Sequence, residues 1–395
     1  MDSNMSITSY IKEIGIIYVI AFIFYLIDPY GKGFQFGYFL ILIMILNGKK
    51  LIKYIDRDFI FLTLFALTYA LFYSVYQESG IQYILIYSFF PSFFYIFGKF
   101  LVLKGLPTKH LVLLFFIIGF LFSCSSLISI IINIKDNGFA QMNREIPLFW
   151  NGKEMKATLM AAYLTFNMCL PIIYLNKQVR IGLFYKIIAA IIFIATLLSV
   201  FRLGSRTQLL ICILSILTSL FFVIPKQTFK SNVKLLIFLF LIVALVLKFV
   251  PLNLNADYFS VLGSRLQDSG NTSSAGGRTE LWYKAIENLL VHPLGWQGTN
   301  VRFAHNLWLD VARYAGLIPF ILLIIFTSRS LKNTFYALRK KPNELLFNTV
   351  ILIFTLSSML IFFVEPIMEG LVFLFILFCL FQGMINQYLN EPDIN

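Results

Sequence analysis

Apolar stretches of roughly bilayer-crossing length recur along this chain from one end to the other, and they decide what it can fold into. A helix rising about 1.5 Å per residue needs roughly 17–25 residues to cross a ~30 Å hydrocarbon core. Stretches near that length occupy 11–27, 34–46, 59–76, 81–97, 111–132, 157–175, 187–201, 207–224, 235–250, 305–326, 345–363 and 370–386. Charged residues make up only 13% of the 395 positions, against about 25% in an ordinary soluble domain. A chain in lipid must satisfy its backbone internally, which favours helices for such long apolar runs. The expectation is an all-α polytopic membrane protein of about twelve transmembrane helices, with 1–395 forming one membrane domain. The first stretch has no small-residue cleavage site after it, so it reads as a retained helix rather than a signal peptide.

The net charge of +13 would raise the question of nucleic acid in a soluble protein. Here the positions of the basic residues answer it. Alternate short loops hold Lys49, Lys50, Lys53 and Arg57, then Lys99, Lys104 and Lys109, then Lys177, Arg180 and Lys186. The same parity continues with Lys226, Lys230 and Lys234, and with Arg329, Lys332, Arg339, Lys340 and Lys341. These loops should face the cytoplasm, with both termini beside them. No basic-aromatic groove pattern accompanies them, so nucleic acid is not an expected partner.

The opposite, external parity holds two longer segments, 133–156 and 251–304. The second is expected to open extended, pass through DSGNTSSAGGR (268–278) and then become helical. In TELWYKAIENLLV, Trp282, Ile286, Leu289 and Leu290 fall at helical spacing, with Lys284, Glu287 and Asn288 elsewhere. That pattern predicts a short amphipathic helix against the membrane surface, ended by His292-Pro293 and followed by a turn at Gly295 and Gly298. Cys124, Cys169, Cys212 and Cys379 each stand alone in apolar runs and read as packed thiols. The external acids are scattered, without a metal-ligand cluster, and no phosphate-binding glycine loop is present. No metal and no cofactor are expected.

The two faces differ in which base they use. The external loops and adjoining helix ends hold Arg144, Arg202, Arg206, Arg265, Arg278, Arg302 and Arg313, seven of the eleven Arg in the chain. Guanidinium grips phosphate oxygens bidentately, where Lys acts as a point charge. An Arg-rich external face therefore points to a phosphate or pyrophosphate ligand; headgroup anchoring and pairing with carboxylates are the alternatives. Arg202 and Arg206 flank Gly204 in SVFRLGSRTQLL. They share a face if the turn is helical, and Gly204 allows a break instead. No acid lies in that segment, so either an anion arrives or both side chains snorkel to the interface.

His305 opens the stretch HNLWLDVARYAGLIPF. A neutral imidazole can take a proton from a sugar hydroxyl near neutral pH; a structural role at a helix start is the alternative. Asn306, Asp310 and Arg313 form a polar stripe on the same helix, with Asp310 about 7 Å beyond His305. Asp310 and Arg313 either contact substrate or pair with each other. His292 beside Pro293 reads as a turn residue, and His110 falls on the cytoplasmic side.

GSRTQLL after a span, GGRTELWYKAIENLLVHPLGWQG, and HNLWLDVARYAGLIPF, in that order, resemble the O-antigen polymerase and O-antigen ligase superfamily. The resemblance covers roughly 199–326. It implies a metal-independent glycosyltransferase at the periplasmic face of a bacterial inner membrane. Its substrates would be undecaprenyl-pyrophosphate-linked oligosaccharide and polysaccharide, for lipopolysaccharide or another surface polysaccharide. Carried over by motif, Arg206 and Arg278 would hold the pyrophosphate and His305 would deprotonate the acceptor hydroxyl. Arg202, Arg265, Asn306, Asp310 and Arg313 are the further candidate binding residues. The ligase pattern of His-Asn, nine residues, Gly, two residues and Gly, Thr or Tyr is met through Gly316 and departs at Pro319. The ligase's R-x-x-x-L element departs at Trp282. These departures and the short segment from Arg278 to His305 favour polymerase over ligase. Membrane lipids and a chain-length-regulating co-polymerase are candidate partners. A transporter or flippase for the same lipid-linked sugar is a third reading, against which stand the uncharged centres of most spans.

Overall fold

The computed structural model describes residues 7–28, 31–75, 80–141, 143–175, 182–249, 256–268, 278–296 and 303–391. The chain divides into two compact units. One comprises Met1–Phe115, Thr272–Pro342 and Ser358–Asn395; the other comprises Phe116–Asn271 and Asn343–Ser357.

The first unit is built around the helix Val372–Asn390, in which nearly every side chain is buried. It lies against Ile81–Leu101, which lies in turn against Arg57–Val75, and that helix against Leu317–Lys340. Without water there is no hydrophobic drive between helices in lipid, so close backbone contact matters. Two glycines provide it. A Cβ on Gly98 would stand 2.0 Å from the carbonyl oxygen of Leu380, and one on Gly383 would stand 2.0 Å from that of Tyr95. Aromatic rings fill the space beside this crossing, among them Tyr25 and Phe94 at 4.4 Å between centroids and Phe22 and Phe97 at 5.0 Å. The buried carboxylate of Asp58 is neutralised by Arg329 and also accepts from Asn333 (2.6 Å) and Asn386 (3.1 Å). The first two spans are elbowed. Thr8–Ile14 meets Ile16–Ile27 at 93°, where Gly15 has φ 98°, and Gly33–Leu46 meets Gly48–Tyr54 at 87°.

In the second unit the stretch 157–175 is a broken span, Ala157–Tyr163 and Asn167–Leu175, bent by 51°. Buried polar side chains serve the break: Asn167 donates to Ser123 Oγ (2.6 Å) and Thr196 Oγ1 (3.3 Å), and Gln208 donates to the carbonyl of Ala161 (2.6 Å). Leu183–Leu203, Arg206–Val223 and Phe229–Phe249 follow. The segment read as loop from 133 is helical to Asn137, then forms a two-stranded antiparallel ribbon, Ile146–Pro147 with Glu154–Met155.

Eight described helices are long and apolar enough to cross a membrane, or eleven if each bent pair is one span. The other predicted stretch, 235–250, falls in Phe229–Phe249, at the edge of the described residues. The all-α, multi-pass character is plain. The predicted span 305–326 needs correction. It is divided at Gly316 (φ 76°) into a short helix, Leu307–Ala315, and a long one, Leu317–Lys340, that carries Arg329, Lys332 and Arg339. A left-handed glycine ends a helix where any other residue would be strained. In the long segment 251–304, the stretches 251–255, 269–277 and 297–302, with Gly298 and Arg302, lie outside the described residues, and 256–268 is largely helical rather than extended. The amphipathic helix forms, from Arg278 to Val291. Its inward face is Trp282, Ala285 and Leu289, whereas Ile286 and Leu290 are exposed.

Candidate active site

In the first unit the local sequence around His305 builds a tightly fastened turn. Asn306 caps Leu307–Ala315, its side-chain oxygen accepting from the backbone N–H groups of Trp308 and Leu309 (both 3.2 Å). Asp310, one turn into that helix, reaches back and accepts from the N–H of Ala304 (2.7 Å) and of Asn306 (3.0 Å). One carboxylate thus holds the peptide groups on both sides of His305, whose backbone is left-handed at φ 52°. Trp282 donates from Nε1 to the carbonyl of Ala304 (2.8 Å), tying the same turn to the amphipathic helix.

That carboxylate is nearly enclosed. Burial pushes the Asp310 carboxyl up to about 6, opposed by the Ala304 and Asn306 N–H groups and by Arg313. The His305 imidazole is half-buried, and its Nδ1 is hydrogen-bonded to no described residue. Burial, and then the positive charge of Arg278, lower its affinity for a proton, so it is neutral at pH 7. Arg278 itself lies 3.9 Å from Glu365. Arg313 does not pair with Asp310: it lies 3.6 Å from Glu369 and over the rings of Phe303 (4.5 Å) and Tyr314 (5.1 Å). His305, Arg278, Asn306, Asp310 and Arg313 therefore belong to one neighbourhood with two carboxylates behind it.

In the second unit Gly204 adopts the left-handed conformation, φ 60°. Its N–H donates to Phe201 and that of Ser205 to Val200, closing Leu183–Leu203 before Arg206 begins the next helix. The break, not the shared face, is what forms. Arg202 points into the protein at 1% exposure. It donates to Asn133 Oδ1 (3.1 Å), Gln141 Oε1 (2.7 Å) and the carbonyl of Asn143 (3.1 Å), all neutral acceptors. Arg144 returns the tie, donating to the carbonyl of Leu203 (3.0 Å). Arg206, by contrast, is exposed at the first turn of its helix, and the N-terminal end of a helix favours an anion. Arg265 falls in the helix Ser260–Asp268, and its side chain lies outside the described ones.

A family signature described as O-antigen ligase matches residues 188–324. The match supports membership of the O-antigen polymerase/ligase superfamily. Members of this superfamily are glycosyltransferase-like enzymes. No curated protein matches the chain closely enough to report. The superfamily signature encloses Arg202, Arg206, Arg265, Arg278, His305, Asn306, Asp310 and Arg313, and the geometry explains several of its small residues. A Cβ on Gly295 would meet the carbonyl oxygen of Arg313 at 2.9 Å, and one on Gly316 would meet that of Pro293 at 2.3 Å. The backbone of Trp296 donates to Arg313 (2.9 Å) and that of Leu317 to Pro293 (2.8 Å). The HPLGW run is thus the seam that seats the amphipathic helix beside the His305 turn.

Glu365 and Glu369 lie outside the signature and were overlooked as site residues. Their sequence signal was faint: two acids one helical turn apart, EPIME, in the turn between the last two spans. Tyr87 fastens that turn from below, donating to the carbonyl of Met368 at 2.6 Å. Among the described residues no group of three or more His, Cys, Asp or Glu is arranged to hold a metal ion.

Proposed function

We propose that this chain is an O-antigen or related surface-polysaccharide polymerase of the bacterial inner membrane. It transfers the glycan from one undecaprenyl-pyrophosphate carrier to the next lipid-linked repeat at the periplasmic face. Both termini, and the lysine-rich loops, would lie in the cytoplasm, and the chain would cross the membrane twelve times with Phe229–Phe249 included. The observation that carries the reading is the His305 turn: a neutral, half-buried imidazole held in a left-handed backbone by Asp310. In the reaction a hydroxyl of the acceptor sugar attacks the anomeric carbon of the donor. The bond from that carbon to the pyrophosphate oxygen breaks, and the hydroxyl proton passes to His305. Carried over by motif, Arg278 in the first unit and Arg206 in the second are each proposed to bind pyrophosphate, with Arg313 and Arg265 as further candidate binding residues. Asn306 and Asp310 act through the backbone, holding His305 in place. Arg202 would serve the site by fixing the segment 133–143 rather than by touching substrate. A co-polymerase that sets chain length is a candidate partner.

The ligase reading, transfer of the glycan to lipid A-core, is favoured by the description of the matched family. A lipopolysaccharide gel of a deletion strain separates the two. Loss of a polymerase leaves core bearing a single repeat, and loss of a ligase leaves uncapped core with accumulated lipid-linked polymer. A transporter would leave the lipid-linked repeat unprocessed on the cytoplasmic side. His305→Ala and Arg206→Ala are expected to abolish polymer with normal amounts of inserted protein. A wild-type length ladder from either variant removes that residue from the mechanism.

A further inference from the structure

At the end of the first unit that carries the lysine-rich loops, a cavity of about 620 Å³ opens beside the two elbows. Its walls come from the cross-helices at Glu13–Ile14 and Asn47–Asp56, from the end of Ile81–Leu101, and from the C-terminal turn of Val372–Asn390. The floor is self-neutralised: the ammonium of Lys99, 2% exposed, lies 2.6 Å from Asp56. Of the remaining acids, Glu391 accepts from Gln387 (2.8 Å), and Glu13 is exposed on the elbow helix. Lys50, Lys53 and Lys104 line the same cavity, and among the described residues none has a carboxylate within salt-bridge distance. Lys53 stands over the ring of Tyr54 at 4.9 Å, with Phe100 beyond it at 6.3 Å between ring centroids. Three cations lining one cavity call for an anion.

The surroundings say what kind. Where the longer helix of each pair crosses a bilayer, an elbow helix set at 93° or 87° to it would run along the membrane surface. Next in the chain to the lining residues Tyr18, Asn47 and Lys53 stand the exposed apolar side chains Ile17 (57%), Leu46 (76%) and Ile52 (65%). A ligand with phosphate at one end and hydrocarbon at the other fits both surfaces. We propose that this cavity binds the headgroup of an anionic phospholipid, its phosphate held by Lys50, Lys53 and Lys104 and its acyl chains lying along Leu46 and Ile52. A basic pocket between helices on the cationic side of a membrane protein is the arrangement that recognises such headgroups. The inference is independent of the reaction proposed above.

The test is lipid retention by the purified full-length protein in detergent, read by native mass spectrometry with phosphatidylglycerol and phosphatidylcholine offered separately. The wild type is expected to retain phosphatidylglycerol roughly a hundredfold better, from three lysines each acting near the surface. The triple variant Lys50→Gln, Lys53→Gln, Lys104→Gln should lose that preference. A charge-matched control, Lys230→Gln, Lys234→Gln, Lys332→Gln at exposed positions elsewhere, should keep it. If the triple variant does not fold, Lys104→Gln alone should lose about fivefold. Equal retention of the two lipids by the wild type, or equal loss in the control, overturns the proposal. Displacement of the lipid by millimolar inorganic phosphate overturns it in favour of a soluble anion.

Discussion

His305 is held at a positive φ, a conformation that costs a non-glycine residue roughly 1–3 kcal/mol and persists only where its surroundings enforce it. The enforcement is the Asp310 carboxylate, so that residue is expected to act on geometry. Asp310→Ala would strand the N–H groups of Ala304 and Asn306, at about 1–3 kcal/mol each. It should lower kcat far more than it raises KM, whereas His305→Asn, which tolerates the left-handed region, should keep stability and lose activity. The proton affinity of His305 gives a second expectation. Its acid form is disfavoured by burial and by Arg278, and the Asp310 carboxyl that holds its turn is pushed up to about 6, so activity should fall as pH drops below the usual 6.5 and both groups take up protons. Removing the repulsive charge with Arg278→Gln should move that acid limb to higher pH in the activity that remains; a profile that does not move would take His305 out of the role of base. The sequence showed His305 and Arg278 as candidates because their residue types carry the chemistry. It did not show that Asp310 turns backward to the loop, since a carboxylate's partner is chosen by a backbone turn that no spacing rule encodes.

The helices Ile81–Leu101 and Val372–Asn390 meet through glycine. Gly98 and Gly383 face each other's helix across a gap with no room for a methyl group. Gly383→Leu should therefore separate Ile81–Leu101 from Val372–Asn390 and abolish a monodisperse detergent-solubilised protein, a loss beyond the 1–3 kcal/mol typical of an overpacked core. A wild-type gel-filtration profile for that variant would contradict the contact. The positions of most helices were legible from hydropathy because length and apolarity are local properties. The division at Gly316 was not. Glycine is common inside membrane helices, and here the chain breaks because the backbone of Pro293 and Leu294 comes up against it. Likewise the inward face of Arg278–Val291 turns on Ala285, a small residue that allows close approach, rather than on the larger Ile286 and Leu290.

For the molecule as a whole, the unequal use of Lys and Arg predicts an orientation that labelling can read. Cys124, Cys169, Cys212 and Cys379 would first be replaced by Ser or Ala; three of them are buried. A single cysteine at Tyr283, exposed on the amphipathic helix, should then react with a membrane-impermeant maleimide in intact cells, and one at Lys53 only after lysis. The reverse pattern would place the His305 turn on the wrong side for a periplasmic transferase. The order of the segments along the chain has a consequence for synthesis. The first unit is made in three instalments, at residues 1–115, 272–342 and 358–395, and its most enclosed helix arrives last. Until Val372–Asn390 has been synthesised, the Gly98 face of Ile81–Leu101 lacks the helix that covers it in the finished fold.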